Sequence, residues 1–195
     1  MRKIIICLLI VAGIATFFYP HATGIYWEYR MNRDLEAFAS RTANLSQEES
    51  SSIEVEYDAG AFNTVGILKI SQINLEIPIY YGTSTSSLRQ GAGLLESGGL
   101  PGGEGNTVIT AHRAHSHGRL FNRLDELEIG DVATITTANN VFKYEINSTQ
   151  IYEKEDISYL STKEDGGEKL ILITCHPLYQ PNPPYRLVVE AVRIH

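Results

Sequence analysis

The sequence predicts a mainly β fold, most economically an eight-stranded closed or partly closed barrel, preceded by an N-terminal transmembrane helix. Three features of its 195 residues carry that reading. Short β-branched and aromatic runs recur between Gly, Pro, Asn and Ser turns. One uncharged apolar stretch opens the chain. The apolar content of 43% is ordinary for a globular protein and too low for several membrane spans. That length leaves room for one domain and an appendage. A net charge of -7 offers no concentrated basic surface, so nucleic acid is not an expected partner.

Residues 4–19 carry no charge and are mostly Ile, Leu, Val, Ala and Phe. They fall short of the roughly 20 residues of a spanning helix. Pro20, Ala22, Thr23, Gly24 and Ile25 prolong the uncharged stretch, and Tyr19, Tyr26 and Trp27 suit the water–lipid boundary. Arg2 and Lys3 favour a cytoplasmic N-terminus with the rest exported. A cleaved signal peptide shares the charged start and short apolar core, and Ala22-Thr23-Gly24 offers a weak cleavage pattern. The interfacial aromatics favour an uncleaved anchor over residues 1–27. Residues 28–60 read as an extracellular stalk and linker. Tyr29, Leu35 and Phe38 are loosely at helical spacing, which suits a short amphipathic helix or a solvated segment equally. The run S-Q-E-E-S-S-S at 46–52 reads as a flexible polar linker.

The folded domain then takes residues 61–195. Eight strands are expected at 65–70, 75–81, 91–95, 107–111, 132–137, 141–152, 169–175 and 186–194. Asn139-Asn140 makes a tight turn between the fifth and sixth, and short helical pieces fit at 84–90 and 120–127. Closure into a barrel removes exposed sheet edges. A two-sheet sandwich fits the same periodicity. The Gly-rich stretch 98–105 lacks the Lys-Ser/Thr ending of a phosphate loop and reads as a flexible loop entering the fourth strand.

Cys175 ends the seventh run, Leu170-Ile171-Leu172-Ile173-Thr174-Cys175, and Arg186 opens the eighth. The fourth run, Thr107-Val108-Ile109-Thr110-Ala111, delivers His112 and then Arg113. The second cysteine, Cys7, lies in the apolar N-terminal run, so a disulfide with Cys175 is not expected. A lone thiol in an exported domain reads as reactive or as a small buried apolar residue. An imidazole and a guanidinium, each at a strand end, favour a reactive Cys175, since the attacking species is a thiolate needing a base or positive charge. Alone, His112 would read as a satisfied loop histidine and Arg186 as half of a surface ion pair with Glu190.

Ile173-Thr174-Cys175 with Arg186, Ala111-His112-Arg113, the segment 120–131 and the overall layout together resemble the sortase family. Ile171 stands where that family's T-L-x-T-C element has its first Thr, while Leu172, Thr174 and Cys175 match. Ala111 stands where Gly usually precedes the His. The resemblance spans roughly residues 63–194. It implies an eight-stranded barrel and a membrane-anchored cysteine transpeptidase that attaches surface proteins to Gram-positive cell walls. By the same resemblance, Cys175 attacks the threonine carbonyl of an LPXTG-like sorting signal and forms a thioester. His112 moves the proton between departing and incoming amines, and Arg186 faces substrate and oxyanion. The acceptor is an amine on a lipid II-type cell-wall precursor. Thr174, Ala111 and His176 are candidate substrate contacts, and the groove is expected between the loops 153–168 and 176–185.

No cofactor is required by this reading; calcium occurs in some relatives, with no ligand set assignable here. His112, His115, His117 and His176 with Cys175 also offer zinc donors, at an unfamiliar spacing. A housekeeping role is favoured over pilin polymerisation, because 57–62 lacks an Asp-Pro and the chain ends just after the last strand. The rivals are a secreted cysteine hydrolase and a catalytically silent anchored barrel.

Overall fold

The computed structural model describes residues 2–45, 64–103, 105–115, 118–160 and 168–194. The expected linker at 46–52 and the segment 57–62 lie outside them. Helix α1 (Arg2–Leu45) runs unbroken through the expected anchor–stalk boundary. Its first part is long and apolar enough to cross a membrane by length and composition. The second half is helical because it has a face to bury. Met31 packs against the barrel core, Asp34 is 2% exposed and Phe38 is buried. Spacings of three and four residues put these side chains on one stripe. Tyr29, expected on the same face, is exposed. It lies nine residues from Phe38, about half a turn around the helix.

The strands are β1 (Thr64–Ile70), β2 (Leu75–Tyr81), β3 (Ala92–Leu94), β4 (Thr107–Thr110), β5 (Val132–Thr136), β6 (Val141–Glu153), β7 (Lys169–His176) and β8 (Tyr185–Ile194). All eight expected strands are present, displaced at most by a residue or two at their ends. They close in the order β1-β2-β3-β4-β7-β8-β6-β5, with β5 returning to β1. Closure, which periodicity left undecided, follows from the antiparallel β1–β5 pairing of Ile67–Ile70 with Ala133–Thr136. Alternation fills the interior: Phe142, Tyr144 and Ile146 of β6 point inward while Val141, Lys143 and Glu145 face out. Leu68, Ile70, Ile77, Ile109, Leu172 and Val189 meet in the same core.

The expected helix at 84–90 is α2 (Thr85–Gln90), capped by the Ser84 hydroxyl, which accepts from the Ser87 N–H at 3.1 Å. The piece expected at 120–127 is a 3-10 helix over Phe121–Glu126 that buries Phe121 and Leu124. The turn at 139–140 is closed by the Thr137 N–H donating to the Asn140 carbonyl at 2.8 Å. Two further 3-10 turns, Ser71–Ile73 and Ser158–Leu160, were not expected.

The Gly-rich loop is pinned. Gly102 has a φ of +79°, and a Cβ there would lie 2.3 Å from the Phe142 ring. Its N–H donates to Glu168 at 2.7 Å, and the same carboxylate accepts from the Tyr144 hydroxyl and pairs with Arg193 at 2.7 Å. Burial and this carboxylate raise the Tyr144 pKa well above the usual phenol range. The knot fastens Gly102, in the loop before β4, and Glu168, next to the start of β7, to the body of the barrel.

Candidate active site

Strand β7 lies between β4 and β8. Cys175 of β7 pairs directly with Arg186 of β8. Side chains of opposed residues project from one face of a sheet. On the other side, β4 runs parallel to β7 with Thr110 level with Ile173, and the Ala111 N–H continues the ladder to the Ile173 carbonyl at 3.2 Å. That register, continued two residues past its last pair, would bring His112 level with Cys175. Neighbouring strands are about 4.8 Å apart. The thiol is thus flanked by the imidazole-bearing segment on one side and the guanidinium on the other.

Alternation decides which face this is. Leu170 and Leu172 of β7 belong to the barrel core, and Thr174 continues their side. Ile171 and Ile173, on the side of Cys175, form a second apolar cluster with Val108 and Val188. Leu95, Tyr152, Tyr159 and Leu160 pack against it from outside the barrel. Cys175 therefore ends an apolar floor on the outer surface, partly covered by the loop that follows β6. Residues 161–167 of that loop lie outside the described residues. Cys175 is half-buried, neither core nor fully exposed.

His112 stays accessible, yet its pKa lies below the ordinary imidazole value. Desolvation is the larger cause, followed by the positive charges of Arg89 and Arg119. At neutral pH its imidazole is therefore uncharged. Arg186 does not pair with Glu190 among the described residues. It donates instead to the carbonyls of Pro183 at 3.2 Å and Tyr185 at 2.9 Å, which fixes the plane of its fork.

The other expected contacts fall differently. Thr174 is 1% exposed, and its hydroxyl donates to the Ala111 carbonyl at 2.9 Å inside the barrel. The Ala111 side chain is buried in the core. The period of two that turns Cys175 and His112 outward turns these two inward, so their side chains brace the site instead of orienting substrate. His176 also leaves the outer face; its Nδ1 lies 2.8 Å from Arg113 Nη1.

Arg113 was noted in the sequence only as the neighbour of His112. It is buried, pairs through Nη2 with Asp125 at 2.7 Å, and so links the His112 segment, the end of β7 and the 3-10 helix. The signal was the alternation itself, which sends the residue after an outward histidine inward. His115 is exposed and stacks near Tyr179, whose hydroxyl donates to the His115 carbonyl at 3.3 Å. His117 lies outside the described residues. Among the described residues no three His, Cys, Asp or Glu side chains gather to hold a metal ion.

A family model described as a sortase domain matches residues 68–194. Along the whole of both chains, the protein is 30% identical to Sortase D of Bacillus subtilis. It is 20% identical to Sortase A of Listeria monocytogenes, over 90% of this chain and 84% of that one. Among solved structures, a lid mutant of Streptococcus agalactiae Sortase C1 superimposes with a TM-score of 0.65 at 28% identity, covering 86% of this chain and 90% of that one. Streptococcus pneumoniae Sortase C gives 0.64 at 27% identity, over 90% and 95% of the two chains. The barrel order, the outward thiol at the end of β7 and these likenesses agree, and the chain belongs to the sortase family of cysteine transpeptidases that act on sorting signals in Gram-positive cell-wall anchoring.

Proposed function

We propose that this transpeptidase works from the membrane surface, with α1 as its single-pass anchor and N-terminus in the cytoplasm. In this reading residues 1–27 anchor, 28–60 form stalk and linker, and 61–195 form the catalytic barrel. Cys175 is the nucleophile, His112 the proton carrier and Arg186 the oxyanion partner. The observation that carries these assignments is the placement of Cys175 between the His112 segment and Arg186, at the end of an outer apolar floor.

An extended LPXTG-like peptide lies along the floor with its scissile carbonyl at Cys175. Neutral His112 takes the thiol proton as sulfur attacks, and Arg186 faces the carbonyl oxygen as it becomes negative. The imidazolium then gives its proton to the departing amine, leaving a thioester. An incoming amine from a lipid II-type precursor attacks that thioester and loses its proton to His112; the carbon–sulfur bond breaks and Cys175 leaves as the thiol, taking that proton back from the imidazolium. Water competes for the thioester, so the amine must be held in place; orientation is worth many orders of magnitude in effective concentration. The housekeeping preference rests on the absence of Asp-Pro at 57–62.

The test is product analysis by mass spectrometry with a sorting-signal peptide and a panel of N-terminal amines. Ligated product is expected, with Cys175→Ala folded and inactive. Hydrolysed acid alone across the panel would make the protein a cysteine hydrolase, and cleavage by folded Cys175→Ala would remove the thiol from the mechanism.

A further inference from the structure

Two guanidinium-bearing segments meet on the α1 side of His112. Arg119 Nη2 donates to the backbone carbonyl of Arg89, at 3.4 Å, joining the loop before Phe121 to the C-terminal turn of α2. The ion pairs among the described residues involve neither arginine. Arg89 is exposed and Arg119 half-buried, and the charges of both are felt at His112. Arg119 also lines a cavity of about 310 Å³ whose far side is Gly24, Glu28 and Met31 of α1. Glu28 and Glu76 share that cavity. They disfavour an anion deep inside it and leave the Arg89 side of Arg119 as the place for one.

The level of this pair follows from α1. The uncharged stretch from Ile4 to Ile25 amounts to about 33 Å of helix, close to the roughly 30 Å of a bilayer's hydrocarbon core. Gly24 to Met31 then brackets the outer water–lipid boundary. The helix is held to the barrel there: Asp34 accepts from Tyr80 at 2.7 Å, and Arg30 donates to Gln90, next to Arg89, at 3.4 Å. Each guanidinium carries five N–H donors and matches phosphate in a bidentate way.

We propose that Arg89 and Arg119 together bind a phosphate group at the membrane surface, beside His112. This rests on the anchored reading of α1. The phosphate belongs either to a bilayer phospholipid or to a lipid-linked amine acceptor, whose amine the pair would then hold next to the thioester. In either case the site draws the reacting rim of the barrel toward the headgroups.

The first test is titration of the full chain in detergent micelles with inorganic pyrophosphate. Wild type should bind, and R89Q/R119Q should bind about tenfold or more weakly through loss of charge-assisted hydrogen bonds. Absence of binding by wild type, or equal binding by both proteins, would overturn the proposal. Should the double variant fail to fold, R89Q alone, at an exposed position, carries the same comparison.

The second test uses vesicles with and without phosphatidylglycerol, and compares transfer to an amine on a polyprenyl pyrophosphate with transfer to a short free amine peptide. Loss of the preference for the pyrophosphate-linked amine in the double variant, whatever the lipid, assigns the phosphate to the acceptor. An unchanged preference with loss of phosphatidylglycerol stimulation assigns it to the bilayer. If neither quantity changes, the site has no role at the membrane and the proposal falls. Failure of the full chain to float with vesicles would count against the anchor alone, and the micelle titration would still decide the phosphate site.

Discussion

Removing the Tyr80 hydroxyl tests how α1 meets the barrel. Tyr80 is 6% exposed and donates to Asp34 at 2.7 Å. The Asp34 side chain is 1% exposed, and its other described partner is the outlying guanidinium of Arg33 at 3.4 Å, itself 43% exposed. Tyr80→Phe keeps the ring and leaves a buried carboxylate without its hydrogen bond, with Arg33 as its described ion-pair partner. A hydrogen bond to a charged group contributes about 1.5–3 kcal/mol, and an uncompensated buried charge costs about 3–5 kcal/mol. The helix has an escape, since undocking hydrates Asp34. The loss is then bounded by the docking contacts, with Met31 and Phe38 contributing up to about 1.5–3 kcal/mol each. A shift of 1.5–3 kcal/mol lowers the docked-to-undocked ratio about 10- to 100-fold at 1.4 kcal/mol per tenfold. Hydrogen exchange of the full chain in micelles should show loss of protection along the second half of α1 and in α2, with the barrel strands little changed. Asp34→Leu combined with Tyr80→Phe should recover protection, because removing both partners of a buried bond is nearly neutral. Equal protection in wild type and Tyr80→Phe would refute the argument. A double variant no better than the single would mean that packing, not the carboxylate, was lost.

Arg186→Lys should lower peptide cleavage about 100- to 1,000-fold, because an ammonium cannot hold two backbone carbonyls and still face an oxyanion in a fixed plane; wild-type rates would deny Arg186 a geometric role. Arg119→Gln should raise the His112 pKa, observed as the proton-NMR titration of its ring, though burial remains and keeps it from the range of a free imidazole; no movement, or a fall, would show that the Arg119 charge does not act there. The sign for stability follows: a folded pKa below the unfolded one means that folding expels a proton, so the His112 contribution is lost as pH drops below about 6.5. His112→Ala should be nearly inactive in sorting-peptide turnover while His115→Ala retains activity; equal losses would undo the distinction between them. Glu168→Ala should lower the denaturant unfolding free energy by about 2–4 kcal/mol, since three donors lose one acceptor and Arg193 is partly screened; a change within 0.5 kcal/mol, roughly the spread of ordinary surface substitutions, would mean the knot is not structural.

The strands were legible because their signals are local. A period of two, β-branched residues and turn-forming neighbours mark 75–81 or 141–152 without knowledge of any partner. The candidate residues stood out for a similar reason: Cys175, His112 and Arg186 sit where apolar runs begin or stop, and strand ends are where side chains reach a rim. Pairing was not legible. That β3 runs parallel beside β2, that β7 lies between β4 and β8, and that β5 closes on β1 are set by contacts between residues far apart in sequence. That strand order sets Cys175 opposite Arg186 and beside the strand that leads to His112. It also turns Thr174 and Ala111 inward, which a list of motif residues cannot show. Helix α1 makes the same point at its far end. Composition marked its apolar half, but Asp34 looks like any surface carboxylate until Tyr80, 46 residues away, supplies the partner that permits its burial. Sequence alone determined the elements and the chemistry they carry; only the closed barrel decided which of those groups meet, because a buried charge or a shared face exists only once distant segments have displaced water between them.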